Sequence, residues 1–124
     1  MEFIKYQGLG NDFILIDLRG KPGIKMTSNE AMRLCNRNFG VGGDGVIFTL
    51  DGSHGCDYTM RMYNSDGTEP QMCGNGIRCM AKFLKAIEGK QDQHQEVTYT
   101  IHTLAGTIMP TIRVDGLVTV DMGV

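Results

Sequence analysis

The sequence predicts an α+β fold of seven or eight short strands and two helices, because two apolar periodicities follow one another along the chain. Residues 57–63 alternate between the two faces of a strand, and residues 13–16 form a continuous apolar run that suits a strand covered on both faces. Residues 75–88 instead repeat their apolar side chains at helical spacing. A chain of 124 residues is naturally one domain, 1–124.

The segment before residue 64 is predicted to form strands and one helix. Thr27 and Glu30 form a capping box that starts this helix, which we expect to end near residues 38–40. The predicted strands cover residues 2–7, 13–17, 46–50 and 57–63, with a hairpin-like turn at 51–55.

The segment after residue 74 reads as one helix followed by strands. The helix is expected over 75–88, with Gly89 at its C-terminal end and a polar linker over 90–95. A strand over 97–102 follows, and residues 107–114 and 117–122 flank the turn signal Asp115-Gly116. Pro110 predicts an edge position or a bulge, since proline cannot donate to a ladder.

Composition excludes several classes of partner. With 12 basic and 14 acidic residues and no basic run, nothing suggests nucleic acid. No apolar run is long enough to span a membrane, and no signal or transit pattern is visible. The four cysteines form no CxxC pair and no zinc pattern, which predicts free thiols in a reducing compartment such as the cytoplasm.

The chain is organised around residues 64–79, where Cys73 stands just before the predicted second helix. A helix N-terminus gathers unpaired N–H groups and the positive end of the dipole, so it binds carboxylates or phosphates and lowers the pKa of a thiol. Gly74 and Gly76 allow unusual backbone conformations and close approach of a ligand, and Asn75 is a candidate N-cap. The alternative for any cysteine is a small buried hydrophobe, which fits Cys79 well and Cys73 poorly.

Two glycine-rich loops each allow a structural and a functional interpretation. Asn11, in the segment 8–12, either bonds its own backbone in a turn or lies in a pocket at a strand end. The loop 39–45 is neither a Walker loop nor a dinucleotide fingerprint, because a strand follows it and no Gly-Lys-Ser/Thr is present. We interpret it as a shaped turn that approaches a site closely.

The sequence as a whole resembles the diaminopimelate epimerases. The resemblance rests on Gly8-Leu-Gly-Asn-Asp-Phe13, on Asn64-Ser-Asp-Gly-Thr-Glu69 and on Met72-Cys-Gly-Asn-Gly-Ile-Arg-Cys79, in this order. The stretches 37–48 and Val120-Asp-Met-Gly123 look most like plant and cyanobacterial members.

This resemblance implies one half of a pseudo-symmetric fold, a barrel-like and mostly antiparallel sheet around a central helix. It implies a cofactor-independent epimerase of lysine biosynthesis that interconverts LL- and meso-diaminopimelate with two cysteines, one from each half. Cys73 would be the first of these, Gly74 and Asn75 would bind the substrate α-carboxylate through backbone N–H groups, and Asn11 and Asn64 would contact the distal end. The second cysteine would lie outside this chain, so we expect the chain alone to be inactive or nearly so.

The same resemblance implies the cytoplasm, or the plastid stroma in a plant or alga, and a possible homodimer. Many members of the family carry glutamine where Gly45 stands. Two other hypotheses remain open: another cofactor-independent amino-acid racemase or isomerase on the same fold, and a non-catalytic half-domain that binds an amino acid or dimerises.

Overall fold

The computed structural model describes residues 3–8, 10–38, 40–71, 73–89 and 95–121. In this part of the chain there are two helices, as predicted, and eight strands, because the strand predicted over 97–102 is divided in two. They are β1 (Ile4–Gly8), β2 (Asn11–Asp17), α1 (Ser28–Cys35), β3 (Gly45–Asp51), β4 (Tyr58–Asn64), α2 (Gly74–Ile87), β5 (Val97–Thr98), β6 (Ile101–Thr103), β7 (Gly106–Ile112) and β8 (Val118–Asp121). Residue 2, Met72, most of the linker 90–95 and the end of the 117–122 strand lie outside the described residues.

The strands form one mixed sheet in the order β1-β2-β3-β4-β6-β7-β5, and β8 pairs with β7. The β2–β3 and β4–β6 pairs are parallel, and the other pairs are antiparallel. Helix α2 contacts β1, β2 and β3 as well as β7 and β8, so the sheet curves around it. The result is the predicted α+β half-barrel around a central helix.

Strands β2 and β3 are buried on both faces, as the continuous apolar run predicted. Phe13 and Leu15 of β2 pack into the core around α2. Ile14 and Ile16 point the other way and pack with Ala31 of α1 in a second, smaller cluster. This parallel pair is thus covered on both faces, as parallel strands usually are.

Helix α1 begins as predicted and ends earlier. The Thr27 side chain accepts from Glu30 N, and the Glu30 side chain accepts from Thr27 N, which is the capping box. The predicted end near residues 38–40 is wrong, because the helix stops at Cys35. Its last carbonyls accept from the following loop instead: Gly42 N donates to Leu34 O over 3.0 Å, and Gly43 N donates to Cys35 O over 3.1 Å.

The prediction for Pro110 is also wrong. Pro110 pairs with Val120 of β8 on one side, and on the other side its carbonyl accepts from Tyr99 N over 3.0 Å. The register between 97–103 and β7 is the same on both sides of residues 99–100, so there is no bulge. Only the missing N–H of proline separates β5 from β6.

All four cysteines have free thiols. Among the described residues, no helix has the length and apolar character that crossing a membrane requires.

Candidate active site

Cys73 is the residue at which α2 begins. Its extended backbone, with φ −138° and ψ 116°, places it at the N-cap, and its side chain makes no capping hydrogen bond. The first intrahelical bond runs from Ile77 N to Cys73 O over 2.8 Å, so the amides of residues 74–76 have no partner inside the helix. The half-buried thiol packs against the core around α2 and stands beside these amides.

The two glycines that follow Cys73 act through their size. Neither has a positive φ, and both are helical, so the prediction of unusual backbone conformations is wrong. A Cβ at Gly76 would lie 3.1 Å from Ile47 Cδ1 and 3.6 Å from Cys73 Sγ, which shows how closely the helix approaches β3. Among the described residues, a Cβ at Gly74 would meet only Arg78 Nη1, at 3.9 Å, so these residues leave this side of the first turn open.

Asn75 is not the N-cap, because Cys73 holds that position. The Asn75 side chain instead donates from Nδ2 to Asn11 Oδ1 over 2.8 Å. Asn11 is the first residue of β2, so this bond joins the N-terminus of α2 to the N-terminal end of β2. Both side chains are half-buried, and Asn11 is therefore held by a tertiary contact and not only by its own turn.

Asn64 ends β4 and begins a tight loop. Its backbone N donates to Thr68 O over 2.7 Å, and its Nδ2 donates to Thr68 Oγ1 over 3.1 Å. The loop packs against α1 so closely that a Cβ at Gly67 would stand 2.8 Å from Met32 Sδ. Asn64 is therefore a half-buried residue whose side-chain amide is held in place at the end of the sheet by Thr68.

The strand pairing brings these residues to one end of the sheet. Strand β2 is parallel to β3, with Phe13 opposite Gly45, and β3 is antiparallel to β4, with Gly45 opposite Asn64. The start of β2 and the end of β4 therefore lie at the same end of the sheet. The Asn11–Asn75 bond brings the start of α2 to this end as well. Asn11, Asn64, Gly74 and Asn75 share this edge with Cys73.

Gly45 stands in the middle of this edge, where a side chain would be crowded. A Cβ there would lie 3.0 Å from Tyr63 O and 3.1 Å from Met62 Cε. Any larger residue at this position requires its neighbours in β4 to shift.

Sequence reasoning missed the role of Asp44. Its carboxylate accepts from Asp12 N over 2.7 Å, and its own N–H donates to Asp12 O over 2.7 Å. Arg37 reaches both residues, with Nη1 at 3.2 Å from Asp12 Oδ2 and Nη2 at 3.4 Å from Asp44 Oδ1. The sequence signal was an aspartate inside a glycine-rich loop, and this signal does not indicate which residues the aspartate contacts.

Hydrogen bonds favour the ionised form of the Asp44 carboxyl at this end of the sheet. The N–H of Asp12, the Asn11 side chain and the Arg37 guanidinium together hold the pKa of Asp44 below its usual range. By contrast, burial raises the pKa of the Cys79 thiol, in agreement with the core role predicted for it. The described residues contain no group of three or more histidine, cysteine, aspartate or glutamate side chains that could hold a metal ion.

This fold is shared with solved racemase and epimerase structures. A hydroxyproline epimerase from Agrobacterium vitis with bound trans-4-OH-L-proline aligns over 90% of this chain and 36% of its own, with a TM-score of 0.66 and 13% identity. A probable proline racemase from Agrobacterium radiobacter K84 aligns over 90% of this chain and 37% of its own, with a TM-score of 0.65 and 15% identity. At such identities the likeness shows the fold, a racemase-type half-barrel.

The sequence comparison defines the family. The family profile described as diaminopimelate epimerase matches residues 3–124. The chain is 63% identical over 123 residues to the diaminopimelate epimerase of Acaryochloris marina, and 57% identical over 123 residues to the chloroplastic enzyme of Oryza sativa subsp. japonica. The chain belongs to the diaminopimelate epimerase family. These matches cover 99% of the chain but only 43% and 34% of the two relatives.

Proposed function

We propose that this chain forms the N-terminal half of the active site of a diaminopimelate epimerase, which interconverts LL- and meso-diaminopimelate in lysine biosynthesis. Cys73 carries the proton on one face of the substrate α-carbon. The observation that supports this most strongly is the position of Cys73 at the N-cap of α2, with its side chain making no capping bond. Membership of the family supports the choice of substrate.

The first turn of α2 suits a carboxylate. The N–H groups of Gly74 and Asn75 have no partner within the helix and lie at the positive end of its dipole. The open side of Gly74 lets a ligand approach the backbone closely. We therefore assign the substrate α-carboxylate to these two amides.

The same arrangement addresses the chemical difficulty of the reaction. The α-proton of an amino acid is a very weak acid, so the negative charge that develops when it leaves must be stabilised. Helix N–H groups aimed at the carboxylate stabilise that charge without a cofactor. Cys73 in its thiolate form is the base, and its attachment to the same helix fixes it beside the α-carbon.

Asn11 and Asn64 are assigned to the distal amino-acid end of the substrate. Each is half-buried at the same edge of the sheet, and each amide offers both a donor and an acceptor. A distal group that carries an ammonium and a carboxylate needs such mixed partners. The contact between Asn11 and Asn75 links this end of the site to the helix that binds the α-carboxylate.

A second acid–base group must return the proton on the opposite face. We propose that a cysteine from the remaining part of the enzyme supplies it, so that the 124-residue chain alone is inactive or nearly so. We also propose that the protein acts in the cytoplasm or, in a plant or alga, in the plastid stroma; the need for a reduced Cys73 thiol and the four free cysteines support this. We also propose that the protein forms a homodimer.

The test is turnover by a joined protein. The chain is fused in frame to the part of the Acaryochloris marina epimerase that lies beyond the match, and conversion of LL- to meso-diaminopimelate is followed by chiral chromatography. Cys73→Ala should abolish conversion, and Cys56→Ser, at another half-buried thiol, should leave it within about twofold. Conversion that survives Cys73→Ala would reject the assignment, and conversion of proline or hydroxyproline in place of diaminopimelate would favour another racemase.

A further inference from the structure

Asp44 connects the two segments that carry Asn11 and Asn64. Its backbone N–H donates to Asp12 O over 2.7 Å, and its backbone carbonyl accepts from Ser65 N over 3.0 Å. Asp12 follows Asn11, and Ser65 follows Asn64. One residue therefore fixes the spacing between two strand ends that are more than 50 positions apart in the sequence.

The side chain of Asp44 makes the connection specific. Its Oδ2 accepts from Asp12 N over 2.7 Å, so Asp12 is bound at both its N–H and its carbonyl. This pair of bonds holds the peptide units on either side of Asp12, one of which joins it to Asn11. The Asn11 side chain also lowers the pKa of the Asp44 carboxyl, and its Oδ1 accepts from Asn75 Nδ2 over 2.8 Å.

Arg37 holds the carboxylate from the solvent side. Its two terminal nitrogens contact Asp12 Oδ2 at 3.2 Å and Asp44 Oδ1 at 3.4 Å. The Arg37 side chain is 55% exposed, so its charge alone is expected to stabilise the pair only slightly. Its main effect is to fix the rotamer in which Asp44 Oδ2 faces the Asp12 N–H.

We propose that Asp44 is a positioning residue for the substrate: its side chain fixes the orientation of Asn11 through the bond to Asp12 N, while its backbone carbonyl holds Ser65 beside Asn64. This inference rests on the proposed function, because it assumes that both asparagines bind substrate. Asp44 itself touches no reacting atom. Loss of its side chain should therefore weaken binding of the distal end of the substrate and leave the proton-transfer chemistry at Cys73 largely intact.

Asp51 provides a matched control at the other end of the same strand pair. Its Oδ2 accepts from Gly20 N over 2.8 Å, so it also bridges β3 to the chain that follows β2, but away from the site. A purely structural role would make Asp44→Ala and Asp51→Ala equivalent. Asp44→Asn is the conservative variant, because its amide oxygen can still accept from Asp12 N.

The experiment measures KM and kcat for diaminopimelate in the joined protein described above. We expect Asp44→Ala to raise KM about tenfold with kcat within about twofold, Asp44→Asn to restore much of the loss, and Asp51→Ala to change neither constant by more than about twofold. Equal effects of Asp44→Ala and Asp51→Ala, or a loss confined to kcat, would overturn the proposal.

A second measurement separates this inference from the proposed function. In ¹H–¹⁵N NMR spectra of the 124-residue chain, Asp44→Ala should shift the side-chain amide signals of Asn11 and Asn75, while Asp51→Ala should leave them in place. Unchanged signals in Asp44→Ala would refute the positioning role even where the joined protein is active. Shifted signals in a protein without diaminopimelate turnover would support the connection and reject the proposed function.

Discussion

The Nδ2 of Asn75 donates to Oδ1 of Asn11 over 2.8 Å, and this bond joins the first turn of α2 to the first residue of β2. The two residues are 64 positions apart in the sequence. The contact fixes the position of the N-terminus of α2 relative to the sheet. It therefore also fixes the position of Cys73 relative to Asn11 and Asn64.

A double-mutant cycle measures this bond. Asn11→Ala and Asn75→Ala should each lower the free energy of unfolding by about 1 kcal/mol, and together by less than the sum, with a coupling of about 0.5–1.5 kcal/mol. Urea denaturation of the four proteins gives the coupling. Thr98, whose hydroxyl pairs with Thr111 on the far strands, supplies the control, since Asn11→Ala and Thr98→Val should be additive. Additivity of the two asparagine variants would contradict the account.

Gly76 and Gly74 should respond oppositely to alanine. A methyl group at position 76 gains about 1 kcal/mol of helix propensity but crowds Ile47 Cδ1 at 3.1 Å, and overpacking typically costs about 1–3 kcal/mol, so a net loss of about 1 kcal/mol is expected. In Gly74→Ala the new methyl group meets, within the described part of the chain, only Arg78 at 3.9 Å, so the variant should be slightly more stable.

Ile47→Val tests the cause of that loss. Valine lacks the Cδ1 atom that the new methyl group meets, so Ile47→Val should recover part of the stability lost in Gly76→Ala, although alone it costs about 0.5–1.5 kcal/mol. Urea denaturation of both single variants and the double variant decides the point. A double variant as unstable as the sum of the two single ones would show that the crowding is not at Ile47.

The far end of α2 should make stability depend on alkaline pH. Tyr58 and Tyr99 both donate to Glu88, the latter over 2.8 Å, and burial followed by this contact raises the pKa of Tyr99 above its ordinary value. A raised folded-state pKa contributes stability that is complete below the unfolded value of about 10 and is lost as the pH rises through the folded value. The unfolding free energy should therefore decline above about pH 10.

Tyr99→Phe isolates this contribution. At pH 7 the variant should be less stable by about 1 kcal/mol, because the hydrogen bond to Glu88 is lost. Above about pH 10 the gap between the two proteins should narrow, since the wild type loses what the variant never had. Parallel curves from pH 7 to 11 in urea denaturation would be inconsistent with the ionisation of Tyr99 as the cause.

Asp44 should contribute the opposite dependence at acid pH. The Asp12 N–H, with help from Asn11 and Arg37, lowers the pKa of Asp44, so its contribution is complete above the unfolded value of about 3.9 and is lost as the pH falls through the folded value. The Asp44 side chain is 40% exposed and solvent screens its charge, so Asp44→Asn should cost only about 0.5 kcal/mol at pH 7 and progressively less below about pH 4. Urea denaturation between pH 2.5 and 7 measures both; a constant penalty would rule out the carboxylate charge as the source.

Local rules predicted the elements of this fold well. The capping box of Thr27 and Glu30 and the doubly covered run 13–16 depend only on neighbouring residues, and both are confirmed. Cys73 was placed before a helix for the same reason, since the apolar spacing after it is local information.

Tertiary contacts decided what local rules could not. Asn75 has the side chain of an N-cap, but Asn11 binds it from another strand, and Cys73 takes the cap position. Pro110 lacks an N–H, yet it lies inside the sheet because its carbonyl and its pairing with β8 still serve both neighbours. The role of Asp44 required the β2–β3 register, which nothing in the sequence of either strand specifies.

The most direct test of the central claim, that Cys73 carries the substrate α-proton, is deuterium uptake. Diaminopimelate is incubated in D₂O with the chain alone, with the joined protein and with its Cys73→Ala and Cys56→Ser variants, and α-deuterium is measured by mass spectrometry. We expect uptake in the joined protein and in Cys56→Ser, strongly reduced uptake in Cys73→Ala, and little or none in the chain alone. Undiminished uptake in Cys73→Ala would contradict the claim.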